Sequence, residues 1–392
     1  MPRATSVPVN PAVVNWAIEQ SGLELETVAR RTQASPELVA AWRSGGALPT
    51  KTQFALLADV VKRPSSVFFM PEPPSVQTPV VRFRAPVASD RTQLNPDERR
   101  AVMKAFRLQR LLRWLAQRSE TRPDLNRFDR SGSPDSAATR ARNVCEVTAS
   151  QQLNWTDGAF AWNAWRATIE RLGVYVLQEE LGRFGIRAFS LPDDAAPIIA
   201  VNSAFSAPAR TFSLFHELGH LLLGHGSACF GFIDPSRTDA AGRTMTEDSV
   251  EEQWCDRFAA AFLLPEAAFS DFLFSRFGRR EVASVTVVDA ASRAFKVSAR
   301  ATALRAIHLG WAPRDLYSEV ASLWKVVDFP RPGGRGSGER RPNKRLRELG
   351  LRPMSLVLGA VRTGDLTELE AMRQLRLGSH EFDEVIGLVA PA

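Results

Sequence analysis

Hydrophobic positions between residues 10 and 70 recur at helical spacing in four short runs, each bounded by turn residues. Asn10-Pro11 opens the first, with asparagine as N-cap and proline at the first helical position, and Ser21-Gly22 closes it. Leu25, Val28 and Ala29 stripe the second, which ends in a tight turn at Gln33-Ala34. Ser35-Pro36-Glu37 opens a third by the same cap-then-proline logic, turning Leu38, Val39 and Trp42 inward, and Gly45-Gly46 stops it. Thr50 caps a fourth, with Phe54, Leu56, Leu57 and Val60 as its apolar set. The proline-rich break at Pro71-Glu72-Pro73-Pro74 follows, and Pro79 and Pro86 keep the chain extended beyond it.

A long amphipathic helix is predicted over Pro96 to Gln117, with Val102, Phe106, Leu111, Leu112 and Leu115 inward and arginines elsewhere. Residues 123–140, rich in Ser, Pro, Asp and Arg, read as a loop. A helix over Ala161–Leu172 and strands at Val174–Leu177, Ile186–Leu191 and Ile198–Val201 come next. Two strongly apolar helices, about Phe212–Leu223 and Val250–Leu264, flank a loop rich in Gly, Ser, Thr and Asp. Residues 281–311 are helical in pattern, Arg331–Gly338 is a flexible linker by composition, and Leu346–Leu388 is a small helical tail. The expected fold class is α+β, mostly α. Its parts are a helical module at 1–75, a linker with the basic helix at 76–139, and a mixed domain at 140–328. A basic linker at 329–345 and the tail at 346–392 complete it.

Composition narrows this picture. A length of 392 residues, 44% hydrophobic and 24% charged, suits two or three folding units with cores of their own. Cys145, Cys229 and Cys255 are too few and too scattered for a disulfide framework, which fits a reducing cytoplasm. No signal-peptide core and no uninterrupted apolar span of about 18 residues is present, so a membrane partner is not expected. The net charge of +7 is uneven: Arg99–Arg122 contributes +7 and Arg331–Arg352 contributes +6. Such clusters permit contact with double-stranded DNA, and they equally describe solvated helix faces.

The chemistry sits in His216-Glu217-Leu218-Gly219-His220. On a helix the two histidines lie four residues apart on one face, where both imidazoles reach a single ion. Glu217 lies on the adjoining face, placed to take a proton from an activated water. A catalytic zinc needs a third protein ligand and an open position. Glu252 is the best candidate, because Phe258, Ala259, Phe262 and Leu263 fix the buried face of its helix and Glu252 and Asp256 share a side at i,i+4. Glu251, about 100° away, is expected to lean toward solvent. Asp256 is then placed to accept the second imidazole N–H of a ligand histidine. His225 and Cys229 are rival ligands. His225 otherwise caps the helix C-terminus, and Cys229 and Cys255 otherwise pack as small hydrophobes.

Thr211–Leu223 around the histidines, Pro197-Ile-Ile-Ala-Val-Asn202 before them and Glu252-x-x-Cys-Asp-x-Phe-Ala-Ala-x-Phe-Leu-Leu-Pro265 after them resemble the ImmA/IrrE metallopeptidases over about residues 140–310. The resemblance implies a zincin-like core with His216, His220 and Glu252 as zinc ligands and Glu217 as catalytic acid/base. Where the family often has Ala-Asn, this chain has Cys255-Asp256. Residues 10–70 resemble a Cro/repressor-type helix-turn-helix domain, which implies DNA contacts on the third helix near Ser35 and Arg43. Residues 1–75 carry only +1, so phosphate contact is expected to come also from Arg107 and Arg110.

These readings lead to a zinc endopeptidase that cleaves a regulatory protein, by family analogy a helix-turn-helix repressor, with Ile198–Val201 as the sheet edge that pairs with an extended substrate. The alternative is a DNA-binding transcription regulator whose zinc is structural or sensory, closed by four protein ligands. A homo-oligomer is compatible with either.

Overall fold

A computed structural model of the protein describes residues 6–74, 82–84, 94–118, 132–183, 185–224, 226–229, 247–323 and 339–389. Two compact units divide the chain, Met1–Phe83 with Ser89–Lys104, and Arg84–Ala88 with Ala105–Ala392.

The first unit is built from α1 (Pro11–Ser21), α2 (Leu25–Thr32), α3 (Pro36–Ser44) and α4 (Lys51–Val60), followed by a 3₁₀ turn at Ser65–Phe69. Side-chain caps define the starts: Asn10 accepts from Ala12 N–H, Ser35 accepts from Leu38 N–H, and Thr50 and Gln53 form a reciprocal capping box. Gln33, at φ 55°, closes α2 in the left-handed conformation and turns the chain into α3. Val14, Ala17, Val28, Val39, Trp42, Leu57 and Phe68 meet in one core.

β1 (Arg82–Arg84) and α5 (Pro96–Arg118) carry the chain from the first unit into the second. In its second-unit part α5 buries Leu108, Leu112 and Leu115, and Gln109 donates to the carbonyls of Leu191 and Ala196 at 3.0 Å each. Phe106 and Leu111 are only half-buried.

Helix α6 (Pro134–Cys145) corrects the loop expected over 123–140 from Pro134 onward, and 123–131 lie outside the described residues. Ser133 accepts from Ser136 N–H and Pro134 starts the helix, the same device that opens α3. Next come α7 (Ala149–Leu153), α8 (Gly158–Arg171), β2 (Tyr175–Glu179), β3 (Ala188–Leu191), β4 (Ile198–Asn202), α9 (Ala207–Leu223), β5 (Ser227–Cys229) and α10 (Glu247–Leu263). They are followed by α11 (Glu266–Phe277), α12 (Val285–Phe295), α13 (Ala299–His308) and α14 (Asp315–Leu323), with the predicted 331–338 linker outside the described residues. The tail is α15 (Arg341–Leu349), α16 (Leu351–Arg362), α17 (Glu368–Leu375) and α18 (Ser379–Val389).

Within the second unit the strand order is β5-β3-β4-β2. β4 pairs parallel with β2, Tyr175 opposite Ile198, and antiparallel with β3, Leu191 opposite Ile198. Ile198–Val201 is therefore an interior strand, and the expectation that it forms a free edge is wrong. Its continuous apolar run reflects burial from both sides. β2 lies beyond it and is covered by α15, with Gln178 Nε2 donating to Arg347 O at 2.9 Å.

α9 and α10 pack on each other in the main core, where Trp165, Phe215 and Phe262 interlock with ring centroids 4.0–5.2 Å apart. Among the described residues no single helix is long and apolar enough to cross a membrane. α10 and α11 pass that test only as a pair, bent by 56°, and Phe258, Phe262, Phe269 and Leu273 of the pair lie in the core.

Candidate metal centre

Helix α9 delivers both histidines from a fully packed environment: every residue from Thr211 to Leu222 is buried. Pro208 occupies its first turn, and Gly224, left-handed at φ 81°, ends it while donating back to His220 O and Leu221 O. Gly219 lets α10 come close, because a Cβ there would stand 3.0 Å from Cys255 Sγ and 3.3 Å from Cys255 Cα. That approach sets Glu252 over the histidine pair.

Nε2 of His216 and Nε2 of His220 are 3.2 Å apart. Glu252 places Oε2 at 3.2 Å from His216 Nε2 and Oε1 at 3.2 Å from His220 Nε2. Four-coordinate zinc with bonds near 2.0–2.1 Å requires ligand atoms about 3.3 Å apart along the edges of its tetrahedron. The two imidazole nitrogens stand at that spacing, each faces its own oxygen of the Glu252 carboxylate at 3.2 Å, and with one atom from each residue the set spans no more than 4.8 Å. His216 Nδ1 lies 2.8 Å from Asp256 Oδ1, so the ring donates there and directs the Nε2 lone pair at the shared centre. The residues fit a metal.

Burial pushes the Glu252 carboxyl up, but the two imidazoles against it more than offset this and hold it well below the usual carboxylate range. Burial raises the thiols of Cys255 and Cys145, the latter to about 12, so both pack as neutral side chains. Glu217 is fully buried; its Oε2 accepts from Ser227 Oγ, and its Oε1 has no hydrogen-bond partner among the described residues.

Glu251 does not lean into solvent. Its side chain is 13% exposed and Oε1 lies 3.9 Å from His220 Nδ1, because α9 packs closely enough on α10 to meet the side chain next to Glu252 as well. His225 and the side chain of Cys229 lie outside the described residues. Ser227 was missed by motif reading, since no spacing rule links a strand serine to the glutamate of a helix.

The residues expected at DNA have the following surroundings. Ser35 Oγ is engaged as the α3 cap. Arg43 donates to Asn15 Oδ1 at 2.7 Å and pairs with Glu19 at 3.4 Å. Arg107 and Arg110 are exposed on the second-unit part of α5. Most of the described bases of the 331–352 cluster pair with acids of the tail: Arg340 with Glu384, Arg345 with Glu348, Lys344 with Glu348 at 3.9 Å, Arg341 with Glu381 at 3.7 Å and Arg347 with Glu339 at 2.9 Å, while Arg352 donates to the backbone carbonyl of Glu170.

A helix pair carrying a buried His-His-Glu set beside a second buried glutamate, Glu217, is the geometry of a metallopeptidase-type centre. In agreement, residues 169–306 match the family model described as the IrrE N-terminal-like domain, a peptidase family designated M78. The match covers about a third of the chain and includes His216, Glu217, His220, Glu252 and Asp256. It supports the ImmA/IrrE resemblance for this segment. No curated protein matches the chain.

Proposed function

We propose that the protein is a zinc-dependent endopeptidase that cleaves a regulatory protein, a helix-turn-helix repressor by analogy with the family, in the cytoplasm. The observation that carries this reading is the convergence of one donor atom each from His216, His220 and Glu252 within 4.8 Å of one another, next to a buried glutamate with one oxygen unengaged among the described residues. His216, His220 and Glu252 would hold the zinc ion, which would supply Lewis acidity toward the scissile carbonyl and toward water. Glu217 receives the proton of the attacking water at Oε1 and passes it to the leaving amine nitrogen. Asp256 keeps His216 in one tautomer throughout.

The role of the N-terminal unit belongs to the same proposal. With helix-turn-helix character it binds either operator DNA or the repressor to be cleaved, and two observations favour the protein. Arg43 is engaged by Asn15 and Glu19, and the exposed positions of α3 are Glu37, Ala40 and Ser44, which offer phosphate no positive charge. The rival reading, a structural or sensory zinc in a DNA-binding regulator, requires a fourth protein ligand and leaves Glu217 without a task.

The test is co-expression with a candidate repressor. Wild-type chain is expected to remove the repressor, and Glu217→Gln to spare it while retaining zinc. Equal cleavage by both would overturn the proposal.

A further inference from the structure

Glu217 is gripped from the sheet rather than from its own helix. Ser227 Oγ on β5 donates to Oε2, and Ser190 Oγ on β3 lies 3.3 Å from Ser227 Oγ. Both serines are completely buried and stand directly opposite each other in the antiparallel β3–β5 pair, which puts their side chains on one face of the sheet. β3 packs against α9. A hydroxyl has one proton to give, and that of Ser227 goes to the carboxylate, so Ser190 is the donor in the contact between the two hydroxyls. The protons thus run in one direction, Ser190 to Ser227 to Glu217.

The hydroxyls of α9 behave differently. Thr211 donates to Ala207 O and Ser213 to Ala209 O, each satisfying itself on the preceding turn. Ser227 donates instead to a buried carboxylate whose other oxygen, Oε1, has no hydrogen-bond partner among the described residues. A buried unpartnered oxygen is costly, and its retention points to use.

We propose that Ser227, backed by Ser190, is a positioning residue that selects the working oxygen of Glu217. Oε2 is the anchored oxygen and Oε1 the one that meets water. This rests on the reading of Glu217 as the proton carrier. Neither serine touches the reacting atoms; both act through Glu217.

The experiment uses the full chain in wild-type, Glu217→Gln, Ser227→Ala, Ser227→Thr and Ser190→Ala forms. Zinc content, Tm, and kcat and KM on a quenched fluorogenic peptide mixture are measured. Ser227→Ala is expected to keep one zinc and a KM within about twofold of wild type while kcat falls about 10- to 100-fold. Ser227→Thr restores kcat, and Ser190→Ala shows a smaller fall in kcat alone. An unchanged kcat in Ser227→Ala, or loss of zinc and Tm in step with kcat, would overturn the positioning role. The cobalt(II)-loaded chains supply a readout that needs no turnover, since their visible absorption reports the surroundings of the ion. Ser227→Ala should shift the spectrum in the direction that Glu217→Gln does, with Ser227→Thr matching wild type. If the wild type cleaves no peptide in the mixture, the peptidase reading is decided by the repressor co-expression test and the spectra alone decide the serine pair. Identical Ser227→Ala and wild-type spectra would refute it.

Discussion

Each histidine of the candidate centre has a carboxylate at its outer nitrogen, but at different range: Asp256 at 2.8 Å from His216 Nδ1, and Glu251 at 3.9 Å from His220 Nδ1. Only the first is a hydrogen bond by distance. Asp256 therefore fixes a tautomer, whereas Glu251 contributes charge. Asp256→Asn is expected to weaken zinc affinity by about 10- to 100-fold, and Glu251→Gln by less, in competition with a chromogenic chelator. Equal losses would mean that ring orientation is not what Asp256 supplies. This difference was only half legible in the residues. The i,i+4 relation of Glu252 and Asp256 placed both on one face, but a single-helix wheel sent Glu251 outward. Wheel arithmetic omits the neighbouring helix, and here α9 lies close enough to reach around that face.

Among the elements, the α9–α10 pair determines where the ligands meet, and Gly219 controls its spacing. Gly219→Ala places a Cβ 3.0 Å from Cys255 Sγ and 3.3 Å from its Cα. Alanine gains about 1 kcal/mol of helix propensity, against an overpacking cost of about 1–3 kcal/mol. The variant is expected to have a lower Tm and weaker zinc binding, and Cys255→Ala in the same chain should recover part of both. A Gly219→Ala protein with wild-type Tm and zinc affinity would remove close approach as the reason for the glycine. Helices with strong local signals were readable: Asn10-Pro11, Ser35-Pro36 and Thr50 cap where expected. Ser133-Pro134 carries the same signal, but the polar composition of 123–140 obscured it. The position of β4 was not readable, because strand order comes from long-range pairing and the run Ile198–Val201 has the same composition at an edge or inside.

At the scale of the whole molecule, the two basic clusters that look alike in the sequence differ in how far their bases are paired. The bases of α15 meet Glu339, Glu348, Glu381 and Glu384 within the tail, and Arg113 and Arg118 meet Asp193 and Asp365. Exposed pairs of this sort add little stability, yet they withdraw cations from any phosphate partner. Arg107 and Arg110 make no ion pair among the described residues. If the chain binds DNA, changing both to Ala should lower the salt slope by about two, while changing Arg341 and Lys344 leaves it nearly unaltered. Anisotropy titrations at several salt concentrations separate these results. Absence of binding in all forms assigns the N-terminal unit to protein docking.

All of these arguments depend on a metal ion at His216, His220 and Glu252, and the most direct measurement is zinc per chain by elemental analysis. The wild-type chain is predicted to hold about one zinc, and the His216→Ala/His220→Ala double variant to hold none. Undiminished zinc in the double variant would contradict the account at its centre.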